Sequence, residues 1–418
     1  MTQQKTDGRK AEILLIASTS LSLFGGRWIS YIGLPNLNFY IVDFFFFAGA
    51  LLLLLRHSKS RKFSGIILLS TICLAYIAIY IFLTPSYSLT LKIRDFAPFI
   101  YILVAPIIAM KFDPSMLKLA ISSFRFATLA GAIWTDLVML NILNEFELSK
   151  SFFGVPIFSA RWDHSGMSIC IGIILWGNHL KLKIQNSSII RIFLAISILL
   201  QYSRASLIGL VIVLSYIVFK QSISKSHNFK DNLSKYLAVC SLVIMIFFNF
   251  FTQVLPQNSA FSRLGLFENQ SVSDVLEVTR NSGTAQARIL AQRELMHWVS
   301  ENNLLWTGAG PGREMLIESG TYNFLSGSPE VRSPHSWVFG SLARFGILGF
   351  SLWHFCLVYF LLKQPNSRLG EKLFLVSPIL IMVIYVISCF GVIIESPFGL
   401  IPLAFFLGAN GISRSEYE

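Results

Sequence analysis

The chain has 418 residues, 54% of them apolar and only 13% charged, with a formal net charge of +12. Soluble domains carry roughly a quarter charged residues; here the charge is gathered between apolar runs that reach the ~20 residues a helix needs to cross a bilayer. That excludes a soluble globular protein and a transmembrane barrel, whose strands are short and alternating, and the placement of Lys and Arg in short loops turns the basic balance away from nucleic acid and toward membrane topology.

Taken in chain order, the first apolar stretch covers 11–25, behind Lys5, Arg9 and Lys10. It resembles a signal peptide, but no small-residue cleavage site follows and further apolar runs come at once, so it reads as a retained span. The next runs are 39–55, 65–83, 96–110, 117–143, 165–180, 189–202, 206–219 and 236–254, and after a long polar insertion 336–362, 373–390 and 392–407. The expected class is therefore all-α, a polytopic membrane protein of about twelve transmembrane helices.

With the N-terminus in the cytoplasm, every inside connection is basic: Arg56/Lys59/Arg61/Lys62, Lys111/Lys118, Lys181/Lys183/Arg191, Lys220/Lys225/Lys230/Lys235 and Lys363/Arg368/Lys372. The short outside loops hold fewer positive charges, as the positive-inside rule requires. Both termini are then expected inside. Residues 1–254 form the first nine helices, 255–334 one large outer loop, and 335–418 the last three helices. Within the loop, 284–300 is expected to be helical, with Ile289, Leu295, Met296 and Val299 available for packing, while 320–328 reads as turns. The cysteines (Cys73, Cys170, Cys240, Cys356, Cys389) all fall in apolar runs without metal-ligand spacing and read as buried structural thiols.

The loop's basic residues are all arginine: Arg263, Arg280, Arg288, Arg293, Arg313 and Arg332, with no lysine between Tyr236 and Leu362. A guanidinium is a planar fork of donors that grips phosphate bidentately. The plainer reading pairs most of these arginines with loop acids such as Glu294 and Glu301, leaving only a subset for a ligand. Arg204 stands at the outer end of one apolar run, and Arg125 and Arg344 lie within others. An ionisable residue in such a place is a functional candidate by default; the alternatives are snorkelling or a structural pair with an acid such as Asp136.

Gly308-Ala309-Gly310-Pro311-Gly312 lacks the Gly-Lys-Ser/Thr of a nucleotide phosphate loop and reads either as a tight turn close to substrate or as simple loop geometry. His335-Ser336 opens the next span, and after nine intervening residues comes Gly346-Ile347-Leu348-Gly349. A histidine at a membrane boundary beside an arginine-rich loop can serve as a general base near neutral pH.

This combination resembles the O-antigen ligase/polymerase family of bacterial envelope proteins. The matching parts are the Ser203-Arg204 span end, the stretch from Arg288 through Trp298 to Gly308-x-Gly-x-Gly, and His335-Ser336 followed by nine residues and Gly-x-x-Gly. The resemblance implies a C-type glycosyltransferase-like fold in the bacterial inner membrane, with the large loop periplasmic. It implies transfer of a glycan from undecaprenyl diphosphate to a hydroxyl of lipid A-core or a similar lipid or glycan acceptor, without cofactor or metal. In that setting His335 would take or orient the acceptor hydroxyl proton. Arg204 and Arg288 would hold the diphosphate, with Arg280, Arg293 and Arg313 as further ligands and Gly308, Gly310 and Gly312 as a substrate loop. A repeat-unit polymerase, with or without a chain-length regulator as partner, shares these motifs. A lipid-linked glycan transporter is the reading from another class; it would place its charges near the bilayer midplane and show related halves.

Overall fold

The computed structural model describes residues 2–29, 33–34, 39–56, 64–84, 87–140, 162–177, 187–201, 203–222, 240–246, 285–325, 332–362 and 376–411. They are helical apart from turns and a two-residue antiparallel pair, β1 (Gly33–Leu34) and β2 (Phe39–Tyr40). The helices are α1 (Thr2–Ile29), α2 (Ile41–Leu55), α3 (Ser64–Leu83), α4 (Leu89–Asp95), α5 (Ala97–Ile102), α6 (Val104–Lys111), α7 (Leu117–Met139), α8 (Trp162–Leu175), α9 (Ser187–Leu200) and α10 (Arg204–Ser222). After the long polar insertion begins come α11 (Ala285–Glu301), α12 (Met315–Glu318), α13 (Tyr322–Leu325), α14 (Trp337–Leu362), α15 (Ser377–Ser388) and α16 (Pro397–Asn410).

Two helical stretches among the described residues, Pro114–Met139 and Trp337–Leu362, are long and apolar enough to cross a membrane. The pair Leu89–Asp95 and Ala97–Lys111, bent by 54°, is a third if counted as one broken span. Other expected runs appear as shorter apolar helices, among them Ile41–Leu55, Ser377–Ser388 and Pro397–Asn410. Most of the expected run at 236–254 lies outside the described residues.

The burial pattern is that of a protein solvated by hydrocarbon. Every residue of α15 is buried, as is α16 from Phe398 to Asn410, as expected of a helix apolar all round. Yet α2, α3, α9 and α10 also turn large apolar side chains outward, including Phe44, Leu55, Phe82, Ile192, Leu199, Val211 and Val218. A soluble monomer rarely exposes apolar patches on that scale. Between helices the contacts are made by small residues and polar bonds, as is usual where apolar burial gives helices no advantage over lipid. A Cβ added to Gly49 would stand 2.9 Å from Ala11 O, and one on Gly131 would stand 2.8 Å from Phe24 O, so α2 and α7 meet α1 backbone to backbone. Ser18 Oγ donates to Val42 O at 2.7 Å, Trp353 Nε1 to Pro98 O at 3.2 Å, and Asn410 Nδ2 to Phe360 O at 2.6 Å.

The sequence-predicted loop helix at 284–300 is present as α11, with Leu295 and Val299 fully buried against Ala309, Met315, Leu316, Leu325 and Ala343. Two expectations are corrected. Arg125 does not pair with Asp136: its Nε donates to Leu175 O at 2.7 Å and its guanidinium lies 5.5 Å from the centre of the Trp176 ring. Asp136 instead accepts from Ser197 Oγ at 2.6 Å. A helix-end carbonyl and an indole face thus stand where an acid was considered, while the buried Arg125 Nη1 has no hydrogen-bond partner among the described residues. The cysteines are free, and Cys240 is exposed where the other four are buried.

Candidate functional site

His335 belongs to a short segment that runs from Arg332 into α14. Its backbone is left-handed, φ 56°, a region that non-glycine residues occupy seldom and mostly where surrounding structure imposes it. Its backbone N–H donates to Ser333 Oγ at 3.2 Å. The side chain lines a cavity of about 340 Å³. The charged and polar walls of that cavity are Arg94, Asp95, Arg332, Arg344, Glu395 and His164. Tyr40, Tyr101 and Phe398 supply an aromatic part of the lining. Tyr101 is fixed from behind: its hydroxyl donates to the buried Asp43, whose other oxygen accepts the Tyr40 N–H at 2.7 Å.

The arginines are organised by one carboxylate. Asp95 Oδ2 accepts from Arg332 Nη2 at 3.1 Å and from the Gly312 N–H at 2.7 Å, and it lies 3.3 Å from Arg344 Nε. Arg344 Nη2 reaches back to Arg332 O at 2.9 Å, which brackets the His335 segment between its two ends. All three side chains are largely withdrawn from solvent, where ion pairing is strong and costly to disturb.

The two glycine motifs are halves of one device. α14 is broken at Gly346 (φ 63°, ψ −175°), a conformation essentially restricted to glycine. The stretch from Leu305 to Gly310 docks onto that break. Ala309 and Gly310 N–H groups donate to Ala343 O (2.8 Å) and Arg344 O (3.0 Å), and Ile347 and Leu348 N–H groups donate to Leu305 O (2.9 Å) and Trp306 O (3.2 Å). A Cβ on Gly308 would stand 2.4 Å from Arg344 O, and one on Gly346 would stand 2.3 Å from Trp306 O. Gly349 is held close to Tyr76, whose hydroxyl donates to Phe345 O at 3.2 Å. Gly308, Gly310 and Gly312 thus shape and fasten the site and are absent from the cavity's described lining.

Glu395 lies in the turn between α15 and α16. Burial pushes its carboxyl above the usual range, offset in part by Arg344 and by a hydrogen bond from Ser333. Its buried Oε1 has no hydrogen-bond partner among the described residues, and neither does Arg332 Nε. His164 Nε2 and Ser396 Oγ are 3.0 Å apart. Among the described residues, no three His, Cys, Asp or Glu side chains converge as a metal site would need.

The other sequence-predicted arginines fall elsewhere. Arg288 Nη1 donates to Phe390 O at 3.1 Å, tying α11 to the end of α15. Arg293 is half-buried on the same helix. Arg313 is clamped by Glu318 through contacts of 2.7–2.9 Å, and its guanidinium sits 5.1 Å from the centre of the Trp298 ring. None of these three is in the cavity's described lining. Arg204 opens α10, but its side chain, like all of Arg280, lies outside the described residues.

Residues 189–354 match the family model described as O-antigen ligase. The match supports an O-antigen ligase/polymerase family for this chain. Such a family is one of glycosyltransferase-like membrane enzymes, and the matched segment holds Arg204, Arg288, the glycine turn, Arg332, His335 and Arg344. No curated protein matches the chain in sequence.

Arg94, Asp95, His164 and Glu395 line the cavity from outside the matched segment, and sequence reasoning does not single them out as site residues. An ionisable residue next to or inside an apolar run is a candidate whatever its sign, and that is the signal in the sequence that points to them. The Arg313–Glu318 pair yields a modest expectation. A partly exposed ion pair contributes up to about 1 kcal/mol, so Arg313→Ala should leave transfer within about threefold of wild type. A transfer assay on the purified variant checks this; a loss of a hundredfold would return Arg313 to the ligand set.

Proposed function

We propose that the chain is an inverting glycosyltransferase of the bacterial inner membrane, passing a glycan from undecaprenyl diphosphate to a hydroxyl of lipid A-core or a similar acceptor. The observation that carries this reading is His335 in the wall of a cavity whose charge comes from clasped arginines, with both the histidine and Arg332 and Arg344 inside the family-matched segment. The topology that goes with it has about twelve spans, both termini cytoplasmic, and the segment 255–334 on the periplasmic face.

The acceptor oxygen attacks the anomeric carbon from the face opposite the diphosphate. The new C–O bond forms as the bond to the diphosphate breaks, the proton passes from the acceptor hydroxyl to His335, and the diphosphate leaves with the bonding electrons. Arg332 and Arg344, with Arg204 as a further donor, stabilise the charge that grows on the leaving group. The energetic lipid diphosphate makes ATP unnecessary, and guanidinium groups fill the role that a divalent cation has in other glycosyl transfers.

The test uses purified protein in nanodiscs with an undecaprenyl-diphosphate glycan, EDTA, and two acceptors offered separately. Transfer to lipid A-core, undiminished by EDTA, is the expected result. Chain growth on the lipid carrier instead would make the protein a repeat-unit polymerase. Loss of transfer in EDTA that added Mg²⁺ restores would overturn the metal-free chemistry. An intact protein that transfers to neither acceptor would redirect the reading to a lipid-linked glycan transporter.

A further inference from the structure

Asp95 stands at the 54° bend between α4 and α5, far in sequence from everything it holds. Its Oδ2 gathers the Arg332 Nη2, the Arg344 Nε and the Gly312 N–H within 2.7–3.3 Å. These groups come from the segment leading to His335, from α14 beyond it, and from the glycine turn docked on the break in α14. Asp95 is thus the one carboxylate among the described residues that contacts both arginines; Arg332 Nη1 also lies 3.9 Å from the exposed Glu314 Oε1, and Glu395 faces Arg344.

Both arginines line the cavity, and Arg332 keeps a buried Nε without a hydrogen-bond partner among the described residues. Guanidinium groups without this shared buried carboxylate would hold a diphosphate more tightly before and after the reaction alike. Uniform tightness lowers KM without raising kcat, and it slows departure of the product. We infer that Asp95 is a positioning residue that aims Arg332 and Arg344 at the leaving diphosphate while tempering their grip, so that the diphosphate product is released. This rests on the reading of the cavity as a lipid-diphosphate site.

Asp95→Asn keeps the size and an oxygen acceptor for Gly312 but removes the charge. In full-length protein in nanodiscs, the donor KM is expected to fall by about threefold or more, with inhibition by inorganic pyrophosphate tightening to match. The kcat should fall about tenfold, as release slows and the arginines lose their aim. A merely structural carboxylate would lower kcat or the yield of folded protein and leave donor KM and pyrophosphate inhibition where they were; that result would overturn the inference.

Should Asp95→Asn fail to fold, Asp95→Glu carries the test. It keeps the charge with a longer reach, so donor KM and pyrophosphate inhibition should stay at wild-type values while kcat falls. Tightened inhibition, or an unchanged kcat, would overturn the inference. Pyrophosphate-dependent thermal stabilisation gives a second readout that needs no turnover, and it should be larger in Asp95→Asn than in wild type. Wild-type protein that neither transfers glycan nor is stabilised by pyrophosphate would refute the proposed function itself. Wild-type activity with a pyrophosphate response that Asp95→Asn leaves unaltered would refute only the role of Asp95.

Discussion

His335→Ala is expected to lower glycan transfer by about a hundredfold or more, the range associated with losing a positioned general base, while the protein folds and inserts normally. The left-handed backbone at this position makes a sharper version available. Glycine adopts a positive φ at no steric cost, whereas a side chain there is under strain. His335→Gly should therefore melt no lower than His335→Ala, despite glycine's greater freedom when unfolded, and should be equally inactive. Stability held while activity vanishes would assign the histidine to chemistry, not to scaffolding. The measurement is initial transfer rate beside a thermal melt, both in nanodiscs. Full activity in His335→Ala would end the general-base reading. Inactivity accompanied by a collapsed melting temperature in both variants would make His335 a structural residue.

Gly346→Ala should be among the most damaging small substitutions in the chain. Its φ of 63° and ψ of −175° are strained for any side chain, and the added methyl would lie 2.3 Å from the carbonyl oxygen of Trp306. Strain of this kind together with an overlap on backbone, which cannot step aside, should cost about 3 kcal/mol or more. Loss of the break would straighten α14, eject the Leu305–Gly310 stretch from its seat, and disturb Arg344 and the Gly312 N–H that Asp95 holds. The expected outcome is a large drop in melting temperature together with loss of transfer. Gly320→Ala is the control, a positive-φ glycine with nothing within 4 Å of an added Cβ; it should be much milder. Equal melting temperatures for the two variants would show that the break at Gly346 does not hold the site together.

Much of this architecture could be read from the residues alone, for identifiable reasons. Apolar runs and their basic borders report the lipid environment directly. α11 was legible from helix-forming residues and a packing face, and Leu295 and Val299 are indeed buried. The His335-Ser336 and Gly-x-x-Gly spacing pointed to a segment that the structure places in the cavity wall and at the break in α14. What it could not tell was what the glycines are for, because their partners are backbone atoms tens of residues away: Gly346 meets Trp306, and Gly308 meets Arg344. Asp95 shows the limit more plainly. Its partner Arg332 is 237 positions distant, and a single sequence carries no trace of such a pairing. For Arg344 the sequence allows either a structural pair with an acid or a place in a functional site; in the structure it pairs with Asp95 and also lines the cavity.

The docking of Leu305–Gly310 onto α14 has a mechanical consequence. Four backbone hydrogen bonds join the two stretches, and bonds grouped in this way open as one cooperative unit. The inner part of the outer insertion is therefore mortised into the helix that carries Arg344, and it moves as a piece with it. On the proposed function, an opening that admits a lipid-borne donor would work elsewhere in the molecule, with the arginine clasp and the glycine turn kept together by these bonds and by the Gly312 N–H on Asp95.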